Sequence, residues 1–323
     1  MDIHIRQPIE YEKIIIGNTS KAIALTRHRM SVQQLLDSRD NDANLKERLE
    51  HYIQAFDALC MAMRPLAKLQ QQPSFHWSVA GDPLHSSCWK FEAVVPRVVL
   101  AEILYAEGTA HLQQSEYKHA AKSFKSAEKC HKDTIQQLSS WKWKLPGVNH
   151  DILQLKWHYS AIYHLQSLQH LCMVSVGLDK ETPAKTLYVV AQRATAAAAK
   201  SVAQWPDRRS TLKMCEGLQH LFSSHILWNR EEYGGSIHRL NTWIVPNTFD
   251  THHFNIIDEE FKKIPFLLRE RRQINHGAYF DMETAVTPLP TPQELIHMES
   301  IDVPHPPSTR STPMEPAPAE EHD

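Results

Sequence analysis

Histidine is the residue in this chain best suited to metal binding, and the sequence contains 21 histidines among 323 residues. A metal site needs several ligands that converge at characteristic spacings. His158, His164 and His170 follow one another at intervals of six, which spreads them around a helix, and His131 has only Cys130 beside it. Neither an H-E-x-x-H motif nor a C-x-x-C pair occurs in the sequence. We therefore expect no metal site and no cofactor.

Residues for covalent or acid–base catalysis are also not arranged in a known motif. The sequence has no G-x-S-x-G elbow, no phosphate-binding P-loop and no G-x-G-x-x-G turn. Glu259 and Glu260 are adjacent, but they follow Asp258 at the predicted start of a helix, where a solvated acidic turn is expected. The sequence thus favours a protein without enzymatic activity.

Composition limits the partners and the cellular compartment that the sequence allows us to expect. The formal net charge of −2 argues against nucleic acid as a partner, because phosphate binding needs clustered lysine and arginine. An odd number of scattered cysteines is typical of reduced intracellular thiols: Cys60, Cys88, Cys130, Cys172 and Cys215. The first residues, MDIHIRQPIEYEK, contain no apolar signal segment, and charges interrupt every apolar stretch before it reaches membrane-spanning length. We expect a cytoplasmic protein with at most peripheral membrane contact.

The elements that carry these residues are predicted to be helices. Glycine is rare and apolar residues recur at helical spacing, which predicts an all-α fold. Extended pieces are predicted only at EKIIIG, which a helix start would explain equally well, and at Phe75–Val79. The predicted helices are Leu45–Met63, Cys88–Leu112 with a bend at Pro96, Tyr117–Trp141, Asp151–Val176 ended by Gly177, Pro183–Trp205, Arg208–Leu240 and Ile257–Ile274 with a disturbance at Pro265.

One predicted helix pair has the spacing of a tetratricopeptide unit. The pattern is a large apolar residue, a glycine four positions later, then an aromatic, an alanine, a phenylalanine and an alanine: Leu104, Gly108, Tyr117, Ala120, Phe124 and Ala127. Small residues at two of these positions allow two antiparallel helices to cross closely. No second copy follows at a 34-residue period. An ordinary tight helical hairpin and a true repeat explain the pattern equally well.

Apolar residues crowd the end of one predicted helix and the start of the next. Leu171–Val174 and Leu187–Val190 each place four consecutive residues of this kind on a helix, so they must cover more than one face. One face meets the core. The other face is either buried by another helix or exposed as a partner site.

The last part of the chain has a different composition. Nine of the nineteen prolines lie between Pro288 and Pro318, with few apolar anchors around them. This predicts a helical domain at 1–298 and a disordered proline-rich tail at 299–323. A solvated tail is favoured over a proline-rich recognition ligand.

Several motifs, in order, resemble the Bro domain family, the ESCRT-associated domain of Alix-like and Brox-like proteins. YGGSIHRL at 233–240 is similar to the family's Tyr-Gly-Glu-x-Ile-x-Arg-Leu, with Tyr233, Gly234, Ile237, Arg239 and Leu240 matching. NHGAYF at 275–280 resembles Asn-Asp-Phe-Ile-Tyr-His, and Phe75–Trp77, Trp89–Leu100, Ala120–Lys129 and Leu165–Met173 resemble further family segments. The likeness runs from about Leu49 to Pro290, and 1–44 match poorly. Gly235 replaces the acidic residue of the first motif.

The resemblance implies a boomerang-shaped helical domain with a tetratricopeptide-like hairpin core and a role as a non-enzymatic scaffold. It implies that an apolar groove binds the C-terminal amphipathic helix of an ESCRT-III subunit, with recruitment to endosomal membranes. By position the groove falls at Cys172 or Met173, Leu187 and Val190, with Lys129 nearby, and Tyr279 matches a family phosphorylation site. The alternatives are a tetratricopeptide-type adaptor for an extended peptide, unrelated to ESCRT, and a metal-dependent hydrolase that uses the histidines.

The glycine pair of the first motif is unexpected inside a predicted helix, because each glycine costs about 1 kcal/mol relative to alanine. The resemblance implies that Gly234 lies where a neighbouring segment leaves no room for a Cβ atom. For Gly235 we expect a local kink or a weakening of the helix.

Overall fold

The structure is a computed structural model, which describes residues 3–5, 9, 11, 19–38, 42–63, 74–79, 82–86, 89–140, 151–243 and 254–283. All of these residues lie in one compact unit, Met1–Val286. The boundary at 298 and the proline-rich tail fall outside the described residues, and both stay predictions. The same holds for EKIIIG.

The architecture is helical, as the sequence predicts, with one small sheet. In chain order the elements are β1 (Ile3–Ile5), α1 (Thr19–Ser38), α2 (Asp42–Met63), β2 (Phe75–Val79), β3 (Asp82–Ser86), α3 (Trp89–Gln113), α4 (Tyr117–Ser140), α5 (Leu155–Asp179), α6 (Ala184–Gln204), α7 (Arg209–Asn229), α8 (Tyr233–Thr242) and α9 (Asn255–Ile274). Short 3-10 turns at Asp151–Leu153 and Pro206–Arg208 precede α5 and α7, and a π-helical turn, Asn275–Tyr279, follows α9. Pro96 lies inside α3 and Pro265 lies inside α9.

The three strands form an antiparallel sheet in the order β1-β2-β3. Ile5 pairs with Trp77, and Trp77 pairs with Leu84. Strand β2 confirms the extended segment predicted at Phe75–Val79. Burial alternates along it, because Phe75 and Trp77 point into the core while His76 between them is partly exposed.

A buried carboxylate joins this sheet to three helices. Glu92 of α3 is 1% exposed and accepts hydrogen bonds from Arg29 Nε of α1 at 3.0 Å, from Trp77 Nε1 of β2 at 2.7 Å and from the Tyr52 hydroxyl of α2. The Tyr52 hydroxyl also lies 2.7 Å from the Tyr11 hydroxyl. Burial, and then the negative charge of Glu92, raises the pKa of both tyrosines well above its ordinary value, so both stay neutral. A buried hydrogen-bond network of this kind fixes how the elements meet.

The helices from α3 to α7 pack each against its successor in a series of hairpins. The α3–α4 pair confirms the tight crossing that the tetratricopeptide spacing predicts. A Cβ atom at Gly108 would lie 2.5 Å from the Phe124 ring, and Ala120 is fully buried. Here the propensity cost of glycine is offset by the close packing of the two helices.

Three of the turns between helices share one geometry. Ser115, Glu181 and Glu231 have φ values of 59°, 54° and 66°. In each turn the next N–H bonds back to the carbonyl five residues earlier: Glu116 to His111 at 2.8 Å, Thr182 to Gly177 at 2.8 Å and Glu232 to Leu227 at 3.0 Å. This is the Schellman helix end, which glycine usually supplies and which this chain builds from other residues.

These turns correct two predicted boundaries. Gly177 does not end its helix, since α5 continues to Asp179 and Gly177 is buried against Leu187. The predicted helix from Arg208 to Leu240 is two helices, α7 and α8, separated at Arg230–Glu232. Gly234 and Gly235 therefore lie in the first turn of α8, so the expectation of a kink inside a long helix was wrong. Helix α1 was not predicted at all.

Candidate partner-binding face

Helices α5 and α6 meet along a seam of small and hydroxylated side chains. The Ser160 hydroxyl donates to the Ser201 carbonyl at 3.0 Å, and the Ser201 hydroxyl donates to the Ser160 carbonyl at 2.8 Å. At the other end of the pair, a Cβ atom at Gly177 would lie 2.5 Å from Leu187 Cδ2. These contacts fix the register of the two antiparallel helices. Met173 precedes Gly177 and Val190 follows Leu187 by about one helical turn each, so both lie near this contact along their antiparallel helices.

The sequence-predicted groove residues divide into two sets. Cys172 and Leu187 are buried, at 1% and 4% exposure, and belong to the core. Met173 is 54% exposed, Val190 is partly exposed and Lys129 is exposed. Neighbouring residues on a helix point about 100° apart, which separates Met173 from Cys172. Only Met173, Val190 and Lys129 are therefore accessible to a partner.

Helix α4, which packs against α5, carries a row of lysines of which sequence reasoning singled out only Lys129. Its members recur at intervals of four and three, so they share one face, and all are exposed: Lys118, Lys122, Lys125, Lys129 and Lys132. The alternating interval is visible in the sequence and could have revealed the row. Glu128 neutralises only part of this positive charge, by forming an ion pair with Lys132 at 2.6 Å.

The same carboxylate joins α4 to α5. Glu128 accepts hydrogen bonds from Gln166 Nε2 and Gln169 Nε2, each at 2.8 Å. Burial alone would raise the pKa of Glu128, but the hydrogen bonds from Lys132, Gln169 and Gln166 outweigh it and lower that pKa. Glu128 therefore stays ionised and holds the lysine row beside the exposed side of α5.

On the other side of α5, helix α6 supplies further cations. Lys200 Nζ lies 5.5 Å from the centre of the Tyr163 ring, and Arg193 is exposed one to two turns before it. Together these residues define the three-helix face: Lys125 and Lys129 of α4, Tyr163 and Met173 of α5, and Val190 and Lys200 of α6. An apolar strip with cations on both sides suits an amphipathic helix whose apolar side is flanked by acidic residues.

Three cysteine thiols among the described residues are poorly suited to act as nucleophiles. Burial raises the pKa of the Cys130 and Cys172 thiols to about 12, and it also raises the pKa of Cys215. These thiols are therefore protonated and unreactive at neutral pH. Glu259 pairs with Lys262 at 2.9 Å, and Glu260 pairs with Lys263, as expected for a solvated helix start.

One trio of metal-ligand side chains comes together within the described part of the chain: His111, Glu116 and His119. It lies at the α3–α4 turn, where His111 Nδ1 is 2.7 Å from Glu116 and His119 Nδ1 is 3.7 Å from it. This trio could not be predicted from the sequence, because its spacing of five and three depends on the turn at Ser115. Glu116 and His119 are exposed, and the hydrogen bond between His111 and Glu116 spans the turn.

The YGGSIHRL motif is structural in this chain. Ile237 and Leu240 are buried, and Gly234 is covered by the segment that follows the π-helical turn. A Cβ atom at Gly234 would lie 2.0 Å from the Met282 carbonyl oxygen. A close backbone contact therefore leaves no room for a Cβ atom at this position.

Tyr279 lies beside this motif and is 48% exposed. Its ring stacks on Tyr233 with the centroids 3.9 Å apart, and the hydrogen bond between the two hydroxyls raises the pKa of Tyr233 to about 12. Trp228 packs against Tyr233 at 4.8 Å and also carries the Arg271 guanidinium over its ring at 4.8 Å. Burial lowers the pKa of Arg271 to about 10.

The described residues include no helix long and apolar enough to cross a membrane.

Comparisons with known proteins give structural likeness without sequence likeness. No family model and no curated protein sequence matches the chain. The complex of the ALIX BRO1 domain with CHMP4C superposes with a TM-score of 0.64 at 12% identity, covering 84% of this chain and 83% of that one. ALIX bound to the SIVmac239 PYKEVTEDL late domain gives 0.67 at 14% identity, covering 85% of this chain and 42% of that one. A Bro1 domain structure solved for the basis of endosomal targeting gives 0.67 at 13% identity, covering 92% and 94%.

Proposed function

We propose that this chain, which has the fold of the Bro1 domain, is a non-enzymatic scaffold that binds the C-terminal amphipathic helix of an ESCRT-III subunit on the three-helix face. The observation that carries the proposal is the exposed methionine of that face, Met173 on α5, with the partly exposed Val190 on the adjacent helix α6. Lysines border this apolar strip on both sides. A Bro1-domain structure in complex with CHMP4C supports the class of partner.

The apolar anchors are expected to supply most of the affinity. Burying one side chain of the size of methionine or valine contributes about 1.5–3 kcal/mol, which is roughly a tenfold to hundredfold change in affinity. The lysines would contribute orientation and association rate more than affinity, and their effect would weaken as salt is added.

The experiment measures binding of a panel of synthetic ESCRT-III C-terminal helices by fluorescence anisotropy. Met173→Asp and Val190→Asp each place an unpaired charge where an apolar anchor would dock, so binding should fall at least tenfold while helicity is retained. Met61→Asp is the matched control, since Met61 is also exposed, at 69%, but lies on α2. Leu187→Asp is expected to unfold the domain because Leu187 is in the core.

The panel also separates the rival adaptor class. If every ESCRT-III helix fails to bind, or if Met173→Asp binds as well as Met61→Asp, the proposal is wrong. A tetratricopeptide-type adaptor would instead bind extended peptides, and the Met173→Asp substitution would leave that binding unchanged.

Recruitment from the cytoplasm to endosomal membranes would follow from the same contact. A fluorescent fusion of the full chain should appear on endosomes, and the Met173→Asp variant should stay diffuse. Equal endosomal signal for both variants would mean that recruitment does not use the three-helix face.

A further inference from the structure

A cavity of about 380 Å³ lies between α3, α5 and the start of α7, on the side of α5 away from Met173. The Tyr105 and His164 rings both line this cavity and contact each other, with their centroids 6.2 Å apart. Successive helices here are antiparallel hairpins, so α3, α5 and α7 run in the same direction. Residues that come early in each of these helices therefore meet at one end of the cavity, and later residues meet at the other end.

The two ends differ in chemistry. The early end is lined by Glu102 and by the Asp207–Arg208 pair that precedes α7. The late end is lined by Leu112, Phe124, Leu168 and Met214, all less than 5% exposed except Leu168 at 7%. The cavity is thus amphipathic along its length.

The polar end holds a cation whose bonding is incomplete. Arg208 Nη1 is buried and has no hydrogen-bond partner, and the same is true of His164 Nδ1 halfway along the cavity. Among the residues that the structure describes, no carboxylate oxygen lies within 4.0 Å of a nitrogen of the Arg208 guanidinium. A buried donor without an acceptor destabilises the fold, which favours a bound group that can accept from it.

The titratable groups near Arg208 do not supply the missing hydrogen-bond acceptor. Burial raises the pKa of Glu102 although the Arg208 charge opposes the shift, no hydrogen bond joins the two side chains, and Asp207 is exposed at the rim. Burial also lowers the pKa of His131 and of His164 to about 3, so both rings are neutral at pH 7. Water could serve Arg208, but it would leave the apolar end wetted.

We infer that this cavity binds a small amphipathic anion, with a carboxylate at Arg208 and an apolar chain that lies toward Leu112, Phe124, Leu168 and Met214. One such molecule satisfies both ends at once. The cavity of about 380 Å³ is more than twice the size of an engineered cavity of about 150 Å³ that holds benzene, so it has room for a medium-chain carboxylate. The site is separate from the three-helix face, so the inference is independent of the proposed function.

The test uses isothermal titration calorimetry on the full chain with octanoate as the probe, and with octan-1-ol and octylamine as neutral and cationic probes of equal chain length. Octanoate should bind at least tenfold more tightly than either. Arg208→Gln should weaken octanoate at least tenfold and leave octan-1-ol unchanged. Arg209→Gln is the matched control, since Arg209 is exposed and does not line the cavity.

A second pair of variants tests the apolar end by filling the space. Ala161→Leu should weaken octanoate and octan-1-ol together, because Ala161 lines the cavity. If circular dichroism shows that this variant is unfolded, Thr109→Leu fills the cavity from α3. Equal binding of the three probes, unchanged octanoate binding in Arg208→Gln, or no octanoate binding at millimolar concentration would each overturn the inference.

Discussion

Replacing Gly234 by alanine tests whether the backbone contact over α8 is the reason for this glycine. The new Cβ atom would lie 2.0 Å from the Met282 carbonyl oxygen and 2.7 Å from its carbonyl carbon. Both are backbone atoms, so no side-chain rotation relieves the overlap. The segment that follows the π-helical turn must therefore move away from α8.

The cost follows from the contacts that hold this segment. Asn275 Nδ2 donates to the Asp281 carbonyl at 2.8 Å, and the Asp281 N–H donates to Asn275 Oδ1 at 3.0 Å. Arg272 and Glu283 form an ion pair at 2.8 Å. At about 1 kcal/mol for each hydrogen bond and about 0–1 kcal/mol for an exposed pair, the loss is about 2–3 kcal/mol. The better helix propensity of alanine returns less than about 1 kcal/mol, because the site is in the first turn.

Gly277→Ala is the matched control, since no atom lies within 4 Å of a Cβ atom at that position. We expect Gly234→Ala to lower the melting temperature by a few degrees and to speed amide hydrogen exchange at Asp281. Gly277→Ala should be neutral or stabilise slightly. If the two variants melt together and the Asp281 amide stays equally protected, the contact does not explain the glycine.

Four further predictions concern other parts of the molecule. Glu92→Gln should destabilise the domain by about 3–5 kcal/mol, because it leaves a buried arginine without its anion; a urea midpoint equal to that of the unmodified chain would contradict this. The folded pKa of His131, about 3, is below its unfolded value of about 6.5. Stability contributed by the neutral ring is therefore complete above pH 6.5 and falls as pH decreases, by up to about 1.4 kcal/mol per unit. His131→Gln should flatten the dependence of unfolding free energy on pH between 7 and 5.5, and an unchanged slope would refute the assignment. Tyr279 should accept phosphate from a tyrosine kinase in the folded protein, because its ring is half exposed, whereas full protection would exclude it. A chain ending at Ser300 should melt at the temperature of the full chain, and a drop of several degrees would mean that the tail packs on the domain.

Sequence reasoning succeeded where one residue type has one structural explanation. Gly108 and Ala120 are small because two helices cross there, and the spacing alone predicted that hairpin. The alternation in Phe75–Val79 likewise predicted a strand.

Sequence reasoning failed where the answer depends on tertiary packing. Cys172 and Met173 are adjacent and both apolar, and only the packing of α5 shows that one is buried and the other exposed. The break between α7 and α8 carries no glycine or proline, because Glu231 adopts the left-handed conformation itself. The cavity beside Arg208 was invisible because its walls come from separate helices.

The serine seam between α5 and α6 has a consequence for the cost of recognition. Hydroxyl–carbonyl bonds are directional, and a slip of one helical turn, about 5.4 Å, would break both bonds between Ser160 and Ser201. Purely apolar helix contacts permit small sliding movements far more readily. The distance between Met173 and Val190 is therefore set before any partner arrives, so little conformational entropy is lost on docking. The contacts between α5 and α6 therefore select a partner helix whose apolar side chains are spaced to reach both Met173 and Val190.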